Sequence, residues 1–329
     1  MDSLSSPQLS VIMPVWNCVD RLETSVGSVL AEKDLNLELI CIDDGSTDGS
    51  GEKLAALAAA DPRLRVISRE NGGQAAARNS GLAELRGDFV TFVDADDRIE
   101  PGYLRELLQA IEAHGADLVV TRLTRSLPGC EPVRKPLVAD ERCAEVDAAT
   151  LLNLTPNTCG RLYRREVLER AEARFPMGVS YGEDSCFNLI ADAHCRRVVL
   201  HPSTGYIYED NDKSVSKLRI AEKVTGMVEA LAALAASYRA HGMSPMMREL
   251  LVGFASHALK RIRSMARHAT QRDCARRAAE ILRSAGVSER DLGCLKPKER
   301  KRMRSIMAGG SGLGFGYYWR RFHHLLRGK

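Results

Sequence analysis

Carboxylates are the chemistry this chain displays most openly. Asp43 and Asp44 begin the run Asp43-Asp44-Gly45-Ser46-Thr47-Asp48, and Asp94, Asp96 and Asp97 end the run Phe92-Val93-Asp94-Ala95-Asp96-Asp97. Each cluster follows directly on a short apolar stretch. Carboxylates gathered without compensation repel one another and their pKa values rise. A divalent cation relieves that repulsion, as do hydrogen-bond donors on a ligand. Asp94 and Asp96, with Ala95 between them, offer hard oxygen ligands suited to Mg²⁺ or Mn²⁺. Aspartate is also a favoured turn residue and helix cap, so Asp-x-Asp by itself also reads as a solvated acidic turn.

The elements around these clusters decide between the two. Over residues 1–123 strand and helix signals alternate. Strands are predicted at 9–15, 37–42, 64–68, 89–93 and 118–123. Helical spacing runs through Val19, Leu22, Val26, Val29 and Leu30, then over 52–60, 74–85 and 103–113. This alternation implies βαβ crossovers and a mostly parallel sheet covered by helices. Ligands of such sheets sit beyond the C-terminal ends of the strands. Three of those ends are polar: Pro14-Val15-Trp16-Asn17, the 43–48 run and the 94–97 run. Topology thus aims several carboxylates at one crevice. The first strand is followed by no Gly-x-Gly-x-x-Gly, and the chain carries no P-loop lysine motif. A diphosphate bound here calls for a metal as its counter-charge.

Four segments in order carry a specific resemblance: Val11-Ile12-Met13-Pro14-Val15-Trp16-Asn17, Ile42 to Asp48, Asn71-Gly72-Gly73-Gln74-Ala75-Ala76-Ala77-Arg78-Asn79-Ser80-Gly81-Leu82, and Phe92 to Asp97. Together they resemble a family 2 glycosyltransferase of the bacterial surface-polysaccharide type. The resemblance implies a GT-A fold, a nucleotide-diphosphate sugar donor, a divalent cation and inversion at the anomeric carbon. It implies donor contacts from Pro14, Trp16 and Asn17, with an aromatic face stacking on the base, although tyrosine is commoner than Trp16 there. Asp44 matches the acid that accepts from a uracil N–H, with Asp43 holding the turn or the ribose. Arg78 matches a position near the phosphates. Asp94 and Ala95 fall by the ribose and metal, and Asp96 matches the metal ligand. Asp97 reads equally as part of that motif or as a cap for the helix starting near Pro101.

On the acceptor side, Tyr181-Gly182-Glu183-Asp184 resembles the family's Glu-Asp motif, whose aspartate is the general base. A helix start keeps such a carboxylate ionised. The plain alternative is that Glu183 and Asp184 only cap a helix. Asn157 to Arg165 resembles the segment ahead of the acceptor, which makes Arg161 a contact for acceptor or phosphate, or a surface residue. At Tyr206-Ile207-Tyr208-Glu209 the chain departs from the family, which often has arginine where Glu209 stands. Lys213 or Lys217, flanking Ser214-Val215-Ser216, are the substitutes at hand.

Between 124 and 212 the pattern is irregular, with helices predicted near 148–154, 165–173 and 184–193 and strands near 197–201 and 205–208. From about 216 the chain reads as successive helices, broken at 242–245, 268–270 and 286. The expected organisation is a catalytic domain over 1–215, divided at 123 into nucleotide-sugar and acceptor halves, and a basic helical region over 216–329. Charge follows that division. The formal +4 combines 22 basic and 35 acidic residues before 213 with 25 basic and 8 acidic after it. An amphipathic helix over 313–327 places Phe315, Tyr318, Trp319 and Phe322 on one face. It suits an anionic membrane surface, the chain's own helices or a second subunit of a homo-oligomer. Nucleic acid is the least favoured partner, since no recognised motif accompanies the charge.

With 44% hydrophobic and 27% charged residues the composition is globular, which excludes disorder and fibrous classes. No run approaches the roughly 18 apolar residues of a membrane span. Nine scattered cysteines without Cys-x-x-Cys, and a start lacking a basic signal region, point to the cytosol, including the inner face of the membrane. The expected function is transfer of a sugar, UDP-linked by preference, to a hydroxyl of a glycan or lipid-linked glycan. A nucleotidyltransferase-like enzyme and a non-catalytic scaffold are the rival classes.

Overall fold

A computed structural model describes residues 6–127, 132–154, 156–210 and 219–309. Ser214-Val215-Ser216, Lys213, Lys217 and the 313–327 helix lie outside these residues. The chain divides into two compact units. One comprises Met1–Val146, Asn153–Gly178 and Glu183–Lys217, the other Asp147–Leu152, Val179–Gly182 and Leu218–Lys329. A single cut near 215 therefore misses two short segments, 147–152 and 179–182, that belong with the helical unit.

The first unit begins with β1 (Leu9–Val15), α1 (Leu22–Leu30), β2 (Leu37–Asp43), α2 (Ser50–Ala60), β3 (Leu64–Ser68), α3 (Gln74–Ala83) and β4 (Phe89–Phe92). β5 (Arg98–Ile99), α4 (Tyr103–Ala113), β6 (Leu118–Val120), β7 (Thr124–Ser126) and β8 (Arg142–Glu145) follow. After α5 (Ala148–Leu152), which belongs to the second unit, come β9 (Arg161–Arg164), α6 (Arg165–Arg170), α7 (Glu183–Asp192), β10 (Arg197–Leu200) and β11 (Tyr206–Glu209). Eight strands form one sheet in the order β3-β2-β1-β4-β9-β6-β10-β8, and β5-β11-β7 form a smaller one.

β1 pairs in parallel with both β2 and β4, so the ends of all three face the same way. All seven residues of β2 are buried, and six of seven in β1, which is why these strands read as largely apolar runs. α3 lies close on β1. A Cβ at Gly81 would come within 2.6 Å of the Ile12 side chain, so the glycine permits the approach. The sequence did not reveal β9, which runs antiparallel between β4 and β6. Its sequence, Arg-Leu-Tyr-Arg, hides a buried strand behind two arginines. Nor did it reveal β5, β7 or β8.

The second unit contains α5, α8 (Ile220–Ala240), α9 (Pro245–Met265), α10 (His268–Ser284), a 3-10 turn at Arg290–Cys294 and α11 (Pro297–Met307). α9 starts where Ser-Pro requires it. The Ser244 hydroxyl accepts from the Met247 N–H at 3.1 Å, and Pro245 occupies a position with no N–H to lose. Val224, Met227 and Val228 of α8 pack with Ala258 and Ile262 of α9 and Cys274 of α10. Among the described residues no helix is long and apolar enough to cross a membrane.

Candidate active site

The loops after β1 and β2 are tied together by polar side chains. Asn17 Oδ1 accepts from Thr47 N–H at 2.8 Å, and Asn17 N–H donates to the Ser46 hydroxyl at 3.0 Å. Cys18 N–H donates to Ser50 Oγ, and Val19 N–H to Asp48. Asn17 has φ +48°, a left-handed conformation asparagine tolerates better than most residues. Beside this clasp Trp16 stands 60% exposed, an uncovered aromatic face at the end of a buried strand. Pro14, two residues before it, lies within β1 opposite Ile42.

Asp43 and Asp44 are both buried. Asp43 accepts from Ser46 N–H at 3.0 Å. Asp44 accepts from Gly73 N–H at 2.7 Å and Gly72 N–H at 3.1 Å, with Arg69 Nε at 3.2 Å. Asp44 thus anchors the 71–73 loop to β2, a task its spacing did not disclose. Gly45 makes the approach feasible: its φ is +71°, and a Cβ there would lie 2.9 Å from Asn71 N.

Asp94, Asp96 and Asp97 each offer an oxygen, and these atoms lie within 4.8 Å of one another. Ala95 between them is buried. Asp97 corrects its expected role. It does not cap α4, whose cap is Gly102, but is buried and accepts from Tyr206 Oη at 2.8 Å and Glu209 N–H at 2.9 Å. Burial, then the charges of Asp94 and Asp96, push its carboxyl up to about 8. Tyr206 Oη also accepts from Asp94 N–H at 3.1 Å, so one phenol holds both ends of the motif. Glu209 accepts from Arg98 at 3.1 Å. Where the family often carries an arginine, this chain therefore has one half of an ion pair.

Arg78 joins the distant pieces. Its Nη2 donates to Asp94 at 2.7 Å and its Nη1 to Asp184 at 2.7 Å, although Asp184 lies 106 positions away in sequence. The guanidinium is 1% exposed while the two carboxylates keep 25% and 29% exposure. Burial alone would lower the pKa of Arg78; Asp184 and Asp94 more than offset it. Arg78, expected near the phosphates, thus commits both terminal nitrogens to aspartates, while its buried Nε has no hydrogen-bond partner among the described residues. Gln74, with its amide oxygen turned inward as the network requires, accepts from Nη1 at 3.2 Å.

Aromatic rings fix this bridge from below. The Phe175 ring centroid lies 5.2 Å from the Arg78 guanidinium, stacks on Phe187 at 4.1 Å and meets Phe92 edge-on at 5.6 Å. Phe187 and Asp184 are three residues apart on α7, so packing one ring orients the carboxylate. Asn79 clamps the Phe175 backbone, donating to its carbonyl and accepting from its N–H, both at 2.8 Å. Asn79, Gln74 and Tyr206 were missed as site residues, although the first two lie within a segment that carried the resemblance and Tyr206 opens the one where the chain departs from it. Glu183 lies beside Asp184 in the first turn of α7 and is partly buried.

Arg161 is a correction of another kind. It is 1% exposed, and its Nη1 reaches both oxygens of Asp192 at 2.9 Å and Tyr163 Oη at 3.0 Å. It braces β9 against α7 inside the core and presents no charge to an acceptor. No disulfide joins any described cysteines.

With this geometry established, comparison with known proteins is informative. Residues 10–171 match Glycosyl transferase family 2. The chain is 32% identical over 220 residues to the uncharacterized glycosyltransferase EpsJ of Bacillus subtilis, covering 64% of each chain. It is 27% identical over 252 residues to the succinoglycan biosynthesis protein ExoO of Rhizobium meliloti, covering 74% of this chain and 72% of that one. The crystal structure of S. aureus TarS 1-349 in complex with UDP-GlcNAc has the same fold, at a TM-score of 0.73 and 21% identity, covering 92% of this chain and 88% of that one. Over residues 10–171 the chain carries the sequence of glycosyl transferase family 2, a family of transferases, and its α/β unit has the GT-A fold.

Proposed function

We propose that this chain transfers a sugar from a nucleotide-diphosphate donor, UDP-linked by preference, to a hydroxyl of a glycan or lipid-linked glycan, with inversion. The observation that carries this reading is the Arg78 bridge. It brings Asp94, on the donor side, and Asp184, on the acceptor side, to opposite ends of one guanidinium. A single displacement needs a base for the incoming hydroxyl and a separate place for the departing diphosphate.

In this reading Trp16 stacks on the nucleobase, with Pro14 and Asn17 shaping the loop beneath it. Asp43 and Asp44 hold the base-side turn. Asp94 and Asp96 are the ligands for Mg²⁺ or Mn²⁺, since Asp97 is committed to Tyr206 and Glu209. The donor set is all hard oxygen and crowded with like charge, which fits such an ion. When bound, the cation neutralises negative charge on the leaving diphosphate. Asp184 takes the proton from the acceptor hydroxyl, whose oxygen bonds to the anomeric carbon as the bond to the diphosphate breaks. Arg78 holds the Asp184 carboxylate in place and aimed.

The test is a panel of nucleotide sugars incubated with the full chain and Mn²⁺, with products separated by chromatography. Release of a nucleoside diphosphate is expected. Release of pyrophosphate would transfer the assignment to nucleotidyl transfer, and no product with any donor would contradict both.

A further inference from the structure

The second unit contains a cavity that the sugar-transfer reading does not use. It has a volume of about 50 Å³ and lies between α9, α10 and α11. Lys260 and Arg263 of α9 and Arg302 of α11 line it, with Glu299 as its acid. Helical spacing explains the grouping: residues 260 and 263 share one face of α9, and 299 and 302 share one face of α11. Four other acids of this unit are engaged elsewhere. Asp291 pairs with Arg248, Asp273 and Glu280 with Arg276, and Glu289 with Arg304. Among the described residues no ion pair engages the side chain of Lys260, Arg263 or Arg302. Burial, and then the charge of Arg302, push the Arg263 guanidinium below its usual pKa.

Gln271, in the first turn of α10, also lines the cavity and is 8% exposed. Both its amide hydrogens are committed, to the Ala266 carbonyl at 2.6 Å and the Arg263 carbonyl at 3.2 Å. The amide therefore cannot turn round without losing both. Its Oε1 is buried and has no hydrogen-bond partner among the described residues. A buried acceptor left in this way is costly and calls for a donor.

Cations and an orphaned acceptor around one cavity specify a ligand that is anionic and also carries a proton to give. We propose that this cavity binds a phosphate group together with a hydroxyl: hydrogen phosphate, or a phosphate ester with a hydroxyl beside it. The hydroxyl donates to Gln271 while the phosphate oxygens accept from Lys260, Arg263 and Arg302. Phosphate fits the size. A single water needs roughly 10–15 Å³, so the cavity admits a tetrahedral group of several heavy atoms. Sulfate, fully ionised, has no proton for Gln271. Two sources offer this chemistry: a phosphate compound in solution, and a lipid headgroup that combines a phosphate with a hydroxyl. This site does not rest on the proposed transfer reaction.

The test is calorimetric titration of the full chain with inorganic phosphate, in a phosphate-free buffer of low ionic strength. Saturable binding is expected, severalfold tighter than for sulfate. Arg263→Gln and Arg302→Gln should each weaken it about tenfold. Arg272→Gln, exposed on α10, should leave it unchanged, and unaltered thermal melts establish that the variants fold. Vesicles of phosphatidylglycerol, against phosphatidylcholine, distinguish the sources. Vesicle binding that falls in the two variants assigns a lipid headgroup, whereas vesicle binding equal to wild type alongside weakened phosphate binding assigns a soluble phosphate compound. Absence of saturable phosphate binding, equal affinity for sulfate, or binding unaffected in both variants would overturn the proposal.

Discussion

The two units use positive charge in opposite ways. In the α/β unit the arginines that matter are buried and paired: Arg78 with Asp94 and Asp184, Arg161 with Asp192. In the helical unit Lys260, Arg263 and Arg302 share a cavity with one acid. A buried cation whose carboxylate partners are covalently part of the same chain is architecture. It fixes positions, and its charge is met within the chain. Cations gathered without such partners are held ready for an anion from outside. A positive residue near a motif is thus a poor guide to phosphate binding until its partners are known, and both Arg78 and Arg161 illustrate this.

The strongest way to break the comparison is to remove a paired cation. Arg78→Ala should leave two partly buried carboxylates uncompensated and lower the stability of the chain by about 3–5 kcal/mol. Urea denaturation measures this, and transfer should be lost under conditions where the variant remains folded. Arg161→Ala should cost a similar amount by stranding Asp192. The double variant Arg161→Met with Asp192→Leu should recover most of that loss, because a buried ion pair exchanged for apolar side chains is often neutral. If the double variant is as unstable as the single one, Arg161 has a role beyond pairing.

Smaller effects sharpen the picture at the donor end. Trp16 is exposed, so Trp16→Ala should leave the melting temperature unchanged. It should weaken UDP binding by about 1–3 kcal/mol, the range for base–aromatic stacking, as read by calorimetry. Trp16→Phe should recover part of this. Smallest of all, Asn79→Asp should keep its acceptor bond to Phe175 N–H and lose the donor to the Phe175 carbonyl. A net loss of about 1 kcal/mol is expected for one such bond, again by urea denaturation.

The sequence disclosed the parts of the fold in which local pattern and burial agree. β1 and β2 are apolar at most positions because both faces are covered, and the polar residues at their ends mark the crevice. It failed where a residue's environment is made by distant chain. Arg161 looked available because arginine is rarely fully buried; only the fold brings Asp192 to it across 31 positions. Asp97 looked like a helix cap because its partners, Tyr206 and Glu209, come from a strand more than 100 residues later. β9 was hidden for the same reason, its terminal arginines masking two buried residues between them. The site residues themselves were visible as types in order. The Arg78 connection from Asp94 to Asp184 was not, because spacing within a motif says nothing about a contact 106 residues away.

The central claim is that Asp184 is the base of a site whose donor half is complete without it. The most direct measurement is turnover and UDP affinity side by side for wild type and Asp184→Asn, with Mn²⁺ present. Turnover should fall by about 10²–10⁴-fold, the usual contribution of a general base, while UDP affinity stays within about twofold. Near-normal turnover in Asp184→Asn, or UDP affinity lost in step with turnover, would contradict it.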